Sequence, residues 1–359
     1  MKAAVCREFG KPLSIEDVDI AAPGPGEILV KLAACAICHS DIMFMDGAWG
    51  GQLPAVFGHE ASGVVVSVGE GVTDVATADH VVVTLIRSCG HCHYCAQGVS
   101  TACETTFDLD RNSPLSAITG ESLLQGLRTG AFAEYVLVHA SQAVAIDCSI
   151  PLDAASLLAC GVITGYGAVV NTAQVRAGSN VVVIGTGGVG LNSVQGAAIS
   201  GANRVIAVDV AEDKLAAAKT FGATDGLLAS DPDLPGSIKK LTDGRGADFV
   251  FVTVGAKSAI DSAYDLMAPT GAVVLVGMPA TGVMSEYEPG NVAAYGQRIL
   301  GSKMGSGRVP VDIPNLASLY QQGRLKLDEL ISGRYALDEI NEAIASTKSG
   351  SALRNVIVF

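Results

Sequence analysis

Val181-Val182-Val183-Ile184 runs directly into Gly185-Thr186-Gly187-Gly188-Val189-Gly190, and a second apolar run, Arg204–Val208, ends on Asp209. An apolar strand that meets spaced glycines and then a helix-like segment points to a βαβ unit and a parallel sheet. The glycines have separate jobs. Gly185 permits a tight turn, Gly187 lets a pyrophosphate approach the backbone, and Gly190 lets helix and strand pack closely. The helix start beyond them offers free N–H groups and the positive end of a dipole to phosphates. Asp209, 19 residues after Gly190, is placed to accept hydrogen bonds from adenosine ribose hydroxyls. Its carboxylate repels a 2′-phosphate, and Val210 and Ala211 after it supply no cation, so the pattern predicts NAD rather than NADP. The competing reading is a glycine-rich turn in some other α/β protein.

The same texture extends on both sides. Apolar runs at Asp248–Val254, Ala272–Val276 and Arg298–Lys303 alternate with alanine-rich segments such as Glu212–Phe221. Both faces of such a sheet are covered, which explains the continuous apolar strands. Before residue 150 the pattern differs. Short β-runs at Glu27–Ala33, Ala61–Val68, Asp79–Leu85 and Phe132–His139 are separated by Gly and Pro, as in the turn cluster Pro23-Gly24-Pro25-Gly26. Residues 104–131 read as a long polar insertion, of the kind that is usually functional or interfacial. A helix at Leu337–Lys348 and a strand at Asn355–Phe359 follow. With 359 residues the chain is long enough for about two domains.

Soft metal ligands are confined to one part of the chain. All 9 cysteines and all 6 histidines lie between Cys6 and Cys160. Cys89, Cys92, Cys95 and Cys103 give C-x2-C-x2-C-x7-C, and four thiolates in a short loop can close a tetrahedral structural zinc site. A ferredoxin-type cluster is the other metal reading, but its usual spacing and following proline are absent; a redox dithiol is the third. His91 and His93 read as solvated loop residues. A second group, Cys38-His39-Ser40-Asp41 with Gly58-His59-Glu60, is ambiguous alone. A lone buried Cys is more often a small hydrophobe, and spacing does not join Cys160 to it.

A formal net charge of −13 excludes nucleic acid and anionic membrane as main partners. A composition 49% hydrophobic and 16% charged excludes disorder. No apolar run reaches membrane-spanning length. Arg7 interrupts the place where a secretory peptide needs its apolar core, and Cys-x-x-Cys spacing suits a reducing compartment, so the chain reads as cytoplasmic.

Taken together, these motifs resemble the zinc-dependent medium-chain alcohol dehydrogenase family along the whole chain. The matching residues are Cys38-His39-Ser40-Asp41, Gly58-His59-Glu60, the four-cysteine lobe, Cys160-Gly161-Val162-Ile163-Thr164-Gly165-Tyr166-Gly167, the fingerprint with Asp209 and Lys214, and Arg354. The resemblance implies an α/β chain with two domains: a GroES-like β-rich catalytic domain over 1–161 and 304–359, and a Rossmann NAD-binding domain over 162–303. It implies two zinc ions per subunit, one catalytic and one structural. Cys38, His59 and Cys160 become the catalytic ligands, Glu60 an alternative ligand, and Asp41 the partner that fixes the His59 tautomer. The open fourth position would take water or an alcohol, whose pKa zinc lowers, before hydride passes to nicotinamide. Ser40 would accept the hydroxyl proton, although a serine here also suits a helix N-cap. His39 and Arg354 would contact the pyrophosphate, Lys214 the adenosine ribose, and Thr164, Val276, Gly277 and Met278 the nicotinamide side. Six cysteines are then ligands, and Cys6, Cys35 and Cys148 are left as buried thiols.

Two departures matter. Many family members have a proton-relay His five residues after the first ligand Cys; here that residue is Met43. The glutathione-dependent formaldehyde dehydrogenases use charged residues where this chain has Phe107 and Trp49. The sequence therefore favours an uncharged primary or secondary alcohol, with Leu85, Trp49 and Phe107 as candidate pocket walls. The alternatives are a thiol-adduct formaldehyde dehydrogenase and a catalytically inactive zinc- and NAD-binding protein. A homodimer or homotetramer acting on a small-molecule alcohol or aldehyde, without nucleic acid or membrane partners, is the expected assembly.

Overall fold

A computed structural model describes residues 1–359. The chain separates into two compact units, one made of Met1–Gly161 with Arg308–Phe359, the other of Val162–Gly307. The motifs predict the second boundary at 303/304. The unit runs on to Gly307 because the turn Lys303–Ser306 is tied into it. The Thr172 hydroxyl pairs with those of Ser302 and Ser306 at 2.8 Å each, and Asn171 Nδ2 donates to Gly305 O at 3.3 Å.

In the first unit, strands Lys2–Cys6, Ser14–Ile20, Leu115–Ala117, Ser122–Gln125 and Ala55–Val56 close a small barrel. A 7-stranded sheet runs in the order Ala143–Ala145, His80–Val83, Glu60–Val68, Glu27–Ala36, Arg354–Val358 and Ile331–Tyr335, with Tyr135–His139 also paired to Glu27–Ala36. Glu27–Ala36 is the spine. Its Ile28, Val30 and Leu32 alternate inward at the strand period of two. They join Ala4, Val65, Leu123, Phe132, Val136 and Ile357 in one core. Burying each of the larger side chains is worth roughly 1.5–3 kcal/mol. Irregularities in the register with Glu60–Val68, between Leu29 and Val30 and again between Leu32 and Ala34, bend this strand. Its end carries the chain into the helix His39–Met45.

Residues 104–131 are not the polar loop that the sequence suggests. They hold the helix Asp108–Arg111 and two barrel strands, with Leu115, Ala117, Leu123 and Ala131 buried. Strands of three or four residues are too short to show a period. The fully buried Arg87 fixes the segment. Nε donates to Gln142 Oε1 at 2.7 Å, Nη1 to Asp110 Oδ1 at 3.1 Å, and Nη2 to Gln125 Oε1 at 3.2 Å and Arg128 O at 2.9 Å.

The second unit is a Rossmann fold. Six parallel strands lie in the order Asp225–Leu228, Arg204–Asp209, Asn180–Ile184, Ala247–Val252, Met267–Leu275 and Arg298–Gly301. Asn180–Ile184 is buried along its whole length, as a central parallel strand requires. The strand order reverses beside it, so its carboxyl end opens the crevice where this fold takes ligands. No single helix in the chain is long and apolar enough to cross a membrane.

Candidate metal and cofactor sites

Four buried residues of the first unit converge. Cys38 caps the helix His39–Met45, Gly58 at φ +93 turns the chain just before His59 and before Glu60, which opens the strand Glu60–Val68, and Cys160 follows the turn Leu157–Ala159. One ligand atom from each of Cys38, His59, Glu60 and Cys160 lies within 4.8 Å of all the others.

Asp41 organises the group. Its Oδ1 accepts from Gly58 N and pairs with His59 Nδ1, both at 2.9 Å, and its Oδ2 accepts from Cys38 N at 3.1 Å. When the ring is neutral, this contact puts its proton on Nδ1 and leaves the lone pair on Nε2, the form that binds a metal. That Nε2 is buried and meets no protein partner, and neither does Glu60 Oε1. Two such orphans cost about 1–3 kcal/mol each. A cation between the thiolates satisfies both, and two sulfurs with an imidazole is a donor set suited to zinc. The residues therefore fit the metal.

Charge supports the same arrangement. A hydrogen bond from Cys160, with His59 nearby, holds Cys38 well below the usual thiol range, while Cys160, sharing its proton with Cys38, is raised. Burial pushes Glu60 up to about 8, even though Arg354 forms an ion pair with it. Burial lowers the His59 pKa, but Asp41 and Cys38 raise it by more. The resemblance assigns Arg354 to a pyrophosphate. Here its buried guanidinium lies on Glu60 and reaches Ile37 O at 3.5 Å. Gly161 makes this possible, since a Cβ there would fall 2.3 Å from Arg354 Nη2.

His39 is exposed and Ser40 half-buried on the first turn of the helix. Ser40 is not the N-cap; Cys38 holds that position, with Asp41 reaching back to its N–H as the acid of a capping box. The aromatic candidates separate. Trp49 packs edge-on against Phe44 at 5.2 Å, and Phe44 stacks with Phe57 at 6.2 Å, on segments that lead into the metal ligands. Phe107 instead packs on His139 at 4.7 Å and under Arg87 at 5.8 Å. Leu85 is half-buried.

Cys89, Cys92, Cys95 and Cys103 form the second cluster, again with sulfurs within 4.8 Å of one another. Cys92 N donates to Cys89 Sγ at 3.2 Å and Cys89 N to Cys103 Sγ at 3.4 Å, bonds that favour thiolates. A hydrogen bond from Thr105 helps bring Cys89 down to about 5, while burial takes Cys95 up to about 12. His91 is exposed and turned to Cys89 O, and His93 is exposed and pairs with Gln97. Of the three remaining cysteines Cys6 and Cys35 are buried, but Cys148 is exposed. It sits in a surface turn where Ser149 N donates to Asp147 Oδ1 at 2.8 Å.

In the Rossmann unit the fingerprint glycines answer to different constraints. Gly185 has φ +87, and Gly190 is so tight that a Cβ would lie 1.8 Å from Gly185 O. Gly187 has φ −75, and a Cβ there would meet nothing within 4 Å. No protein contact requires glycine at 187, whereas a phosphate laid on the backbone does. Gly188 and Val189 open the helix Gly188–Ile199. Asp209 ends its strand and is 8% exposed. Lys214 is half-buried on the following helix Glu212–Thr220. Val276 N and Gly277 N both donate to Val252 O at 2.9 Å, and Met278 beyond them is exposed. Buried Thr164 turns its hydroxyl to Met304 Sδ at 3.6 Å. Arg87, Phe44, Phe57 and Thr186 escaped the sequence reading. Thr186 alone had a signal, as a hydroxyl inside the fingerprint.

Comparison with known proteins agrees with this geometry. Residues 24–148 match the model of the alcohol dehydrogenase GroES-like domain, and residues 188–322 that of the zinc-binding dehydrogenase. An NDMA-dependent alcohol dehydrogenase of Amycolatopsis methanolica is 37% identical over 99% of this chain and 98% of its own. A solved alcohol dehydrogenase zinc-binding domain protein from Burkholderia ambifaria superposes with a TM-score of 0.96 at 35% identity, covering 100% of this chain and 98% of that one. The benzyl alcohol dehydrogenase of Acinetobacter calcoaceticus gives 0.93 at 32% identity, covering 100% and 99%.

Proposed function

Because this chain belongs to the zinc-dependent medium-chain alcohol dehydrogenases, we propose that it oxidises an uncharged primary or secondary alcohol to the aldehyde or ketone, with NAD as acceptor and two zinc ions per subunit. The observation that carries the proposal is the buried, unpartnered His59 Nε2, fixed by Asp41 and grouped with Cys38 and Cys160. When bound, zinc lowers the pKa of an alcohol and nicotinamide accepts its α-hydride. Cys38, His59 and Cys160 hold the metal, and Glu60, with one oxygen on Arg354, keeps the other for it. Asp41 holds the proton of the neutral His59 ring on Nδ1 and turns Nε2 toward the metal. Ser40 Oγ takes the hydroxyl proton, and Met43 ends any further side-chain route in that direction. Cys89, Cys92, Cys95 and Cys103 hold the structural zinc. Gly185, Gly187 and Gly190 shape the pyrophosphate cradle, and Asp209 faces the adenosine ribose.

Trp49 and Phe44 give an apolar wall that suits an uncharged substrate. The glutathione reading gains no support, since Phe107 is packed on His139 and offers no charge. We further propose a homodimer paired through the edge strand Arg298–Gly301, beside exposed Tyr295, acting in the cytoplasm. The Amycolatopsis relative is named for dependence on NDMA, so the test runs three acceptors. Primary, secondary and aromatic alcohols are assayed with NAD, NADP and NDMA, alongside zinc counting. NAD-linked turnover with two zinc ions per subunit is expected. Turnover confined to NADP or NDMA refutes the acceptor, and no zinc at Cys38 and Cys160 refutes the chemistry.

A further inference from the structure

The Asp209 carboxylate is already saturated by the protein. Oδ2 accepts from Thr186 N at 2.7 Å and Thr186 Oγ1 at 2.9 Å; Oδ1 accepts from Val210 N at 2.8 Å and Ala211 N at 3.3 Å. An ionised carboxylate has about four acceptor positions, and all are taken. A ribose diol arriving at Asp209 brings two more donors. Three of the four resident donors are backbone amides. Thr186 N is set by the turn that Gly185 makes at φ +87, and Val210 N and Ala211 N follow directly from the strand end. None of these can turn away without dismantling the turn or the strand. The Thr186 hydroxyl is the one donor on a single bond, with staggered alternatives open to it.

We infer that Thr186 is a specificity-determining residue that competes with the adenosine ribose for Asp209, its hydroxyl rotating off the carboxylate when the ribose hydroxyls arrive. The inference rests on the proposed use of NAD. In the free protein the hydroxyl fills the second acceptor position of Oδ2, which the Thr186 amide alone leaves open. When the ribose binds, that hydrogen bond is exchanged rather than added, so Thr186 weakens dinucleotide binding. A cofactor with a 2′-phosphate gains nothing from the exchange. It lacks the 2′-hydroxyl donor, and Asp209 stays charged against it.

The test measures the NADH dissociation constant by fluorescence titration, with and without the hydroxyl. Thr186→Val and Thr186→Ala should bind NADH about 10- to 100-fold more tightly than wild type, the range for losing one competing bond to a charged acceptor. Thr186→Ser, which keeps the hydroxyl, should match wild type. The gain should shrink for a dinucleotide lacking the adenosine 2′-hydroxyl, and NADPH binding should not improve. A purely structural role predicts the opposite sign, weaker binding together with a lower melting temperature. Equal or weaker NADH binding in both Thr186→Val and Thr186→Ala, with wild type binding normally, overturns the inference. Wild type that binds no NADH overturns the cofactor reading instead, and this inference with it.

Discussion

Replacing Asp41 by Asn isolates the step that prepares His59. The side chain is fully buried and makes three hydrogen bonds, two at Oδ1 and one at Oδ2. Asn has the same shape but one acceptor oxygen. If that oxygen stays with His59 Nδ1 and Gly58 N, the amide NH2 faces the Cys38 N–H, donor against donor. Leaving that amide unpaired costs roughly 1–3 kcal/mol of stability. The bond to His59 also loses its charge, and such bonds are about half as strong. Loss of a carboxylate behind a metal-bound imidazole typically lowers metal affinity 10–100-fold, or about 1.4–2.8 kcal/mol. The assay is chelator competition with zinc counted per subunit. The four-cysteine cluster shares no ligand with Asp41 and serves as the internal reference. Asp41→Asn should lose zinc from the Cys38/His59/Cys160 site at 10–100-fold lower chelator while the second zinc is retained. Unchanged affinity at both sites would refute the claim that Asp41 orients His59.

Other outcomes follow from single residues. Gly187→Ala should leave the melting temperature unchanged but weaken NADH binding, whereas Gly190→Ala, whose Cβ would lie 1.8 Å from Gly185 O, should destabilise the Rossmann unit; thermal melts beside NADH titrations separate the two. Arg87→Met strips the donors from Gln142, Gln125, Asp110 and the Arg128 carbonyl, and should cost about 3–5 kcal/mol in denaturant unfolding. Ser40→Ala should lower turnover while NADH affinity holds. Burial and the bond to Asp328 raise Tyr320 from 10.0 to about 12. That stabilisation is complete below pH 10 and disappears as pH rises through 12, so melting temperature should fall less steeply across this window in Tyr320→Phe than in wild type.

Local chemistry made parts of this molecule readable in advance. The Rossmann fingerprint is contiguous, so its strand, turn and helix declare themselves. The four lobe cysteines span 89–103 and can meet without help from the rest of the chain. Cys160 is different. Nothing in its spacing ties it to Cys38 and His59, because sheet and turn geometry bring them together. Residues 104–131 were opaque because their strands are too short to show alternation, and their order depends on Arg87, a charge buried by tertiary packing. Cys148 read as a buried thiol because composition carries no information on where a turn reaches the surface. Thr186 was visible as a letter, but its hydrogen bond to Asp209 spans two strands and appears only once the sheet exists.

The strand Arg354–Val358 lies between Glu27–Ala36 and Ile331–Tyr335, and Arg354 reaches Glu60 across 294 residues of sequence. During synthesis the chain emerges from its N-terminus, and domains fold as units while the rest is still being made. The Rossmann segment is complete by Gly307 and can fold at once. The unit that carries the metal ligands cannot. Its sheet lacks an interior strand, and Glu60 lacks its cation, until Arg354–Val358 has left the ribosome. A nascent chain can therefore be competent for dinucleotide well before the Cys38, His59 and Cys160 site is complete, and removal of the strand Arg354–Val358 should cost that site without the first property.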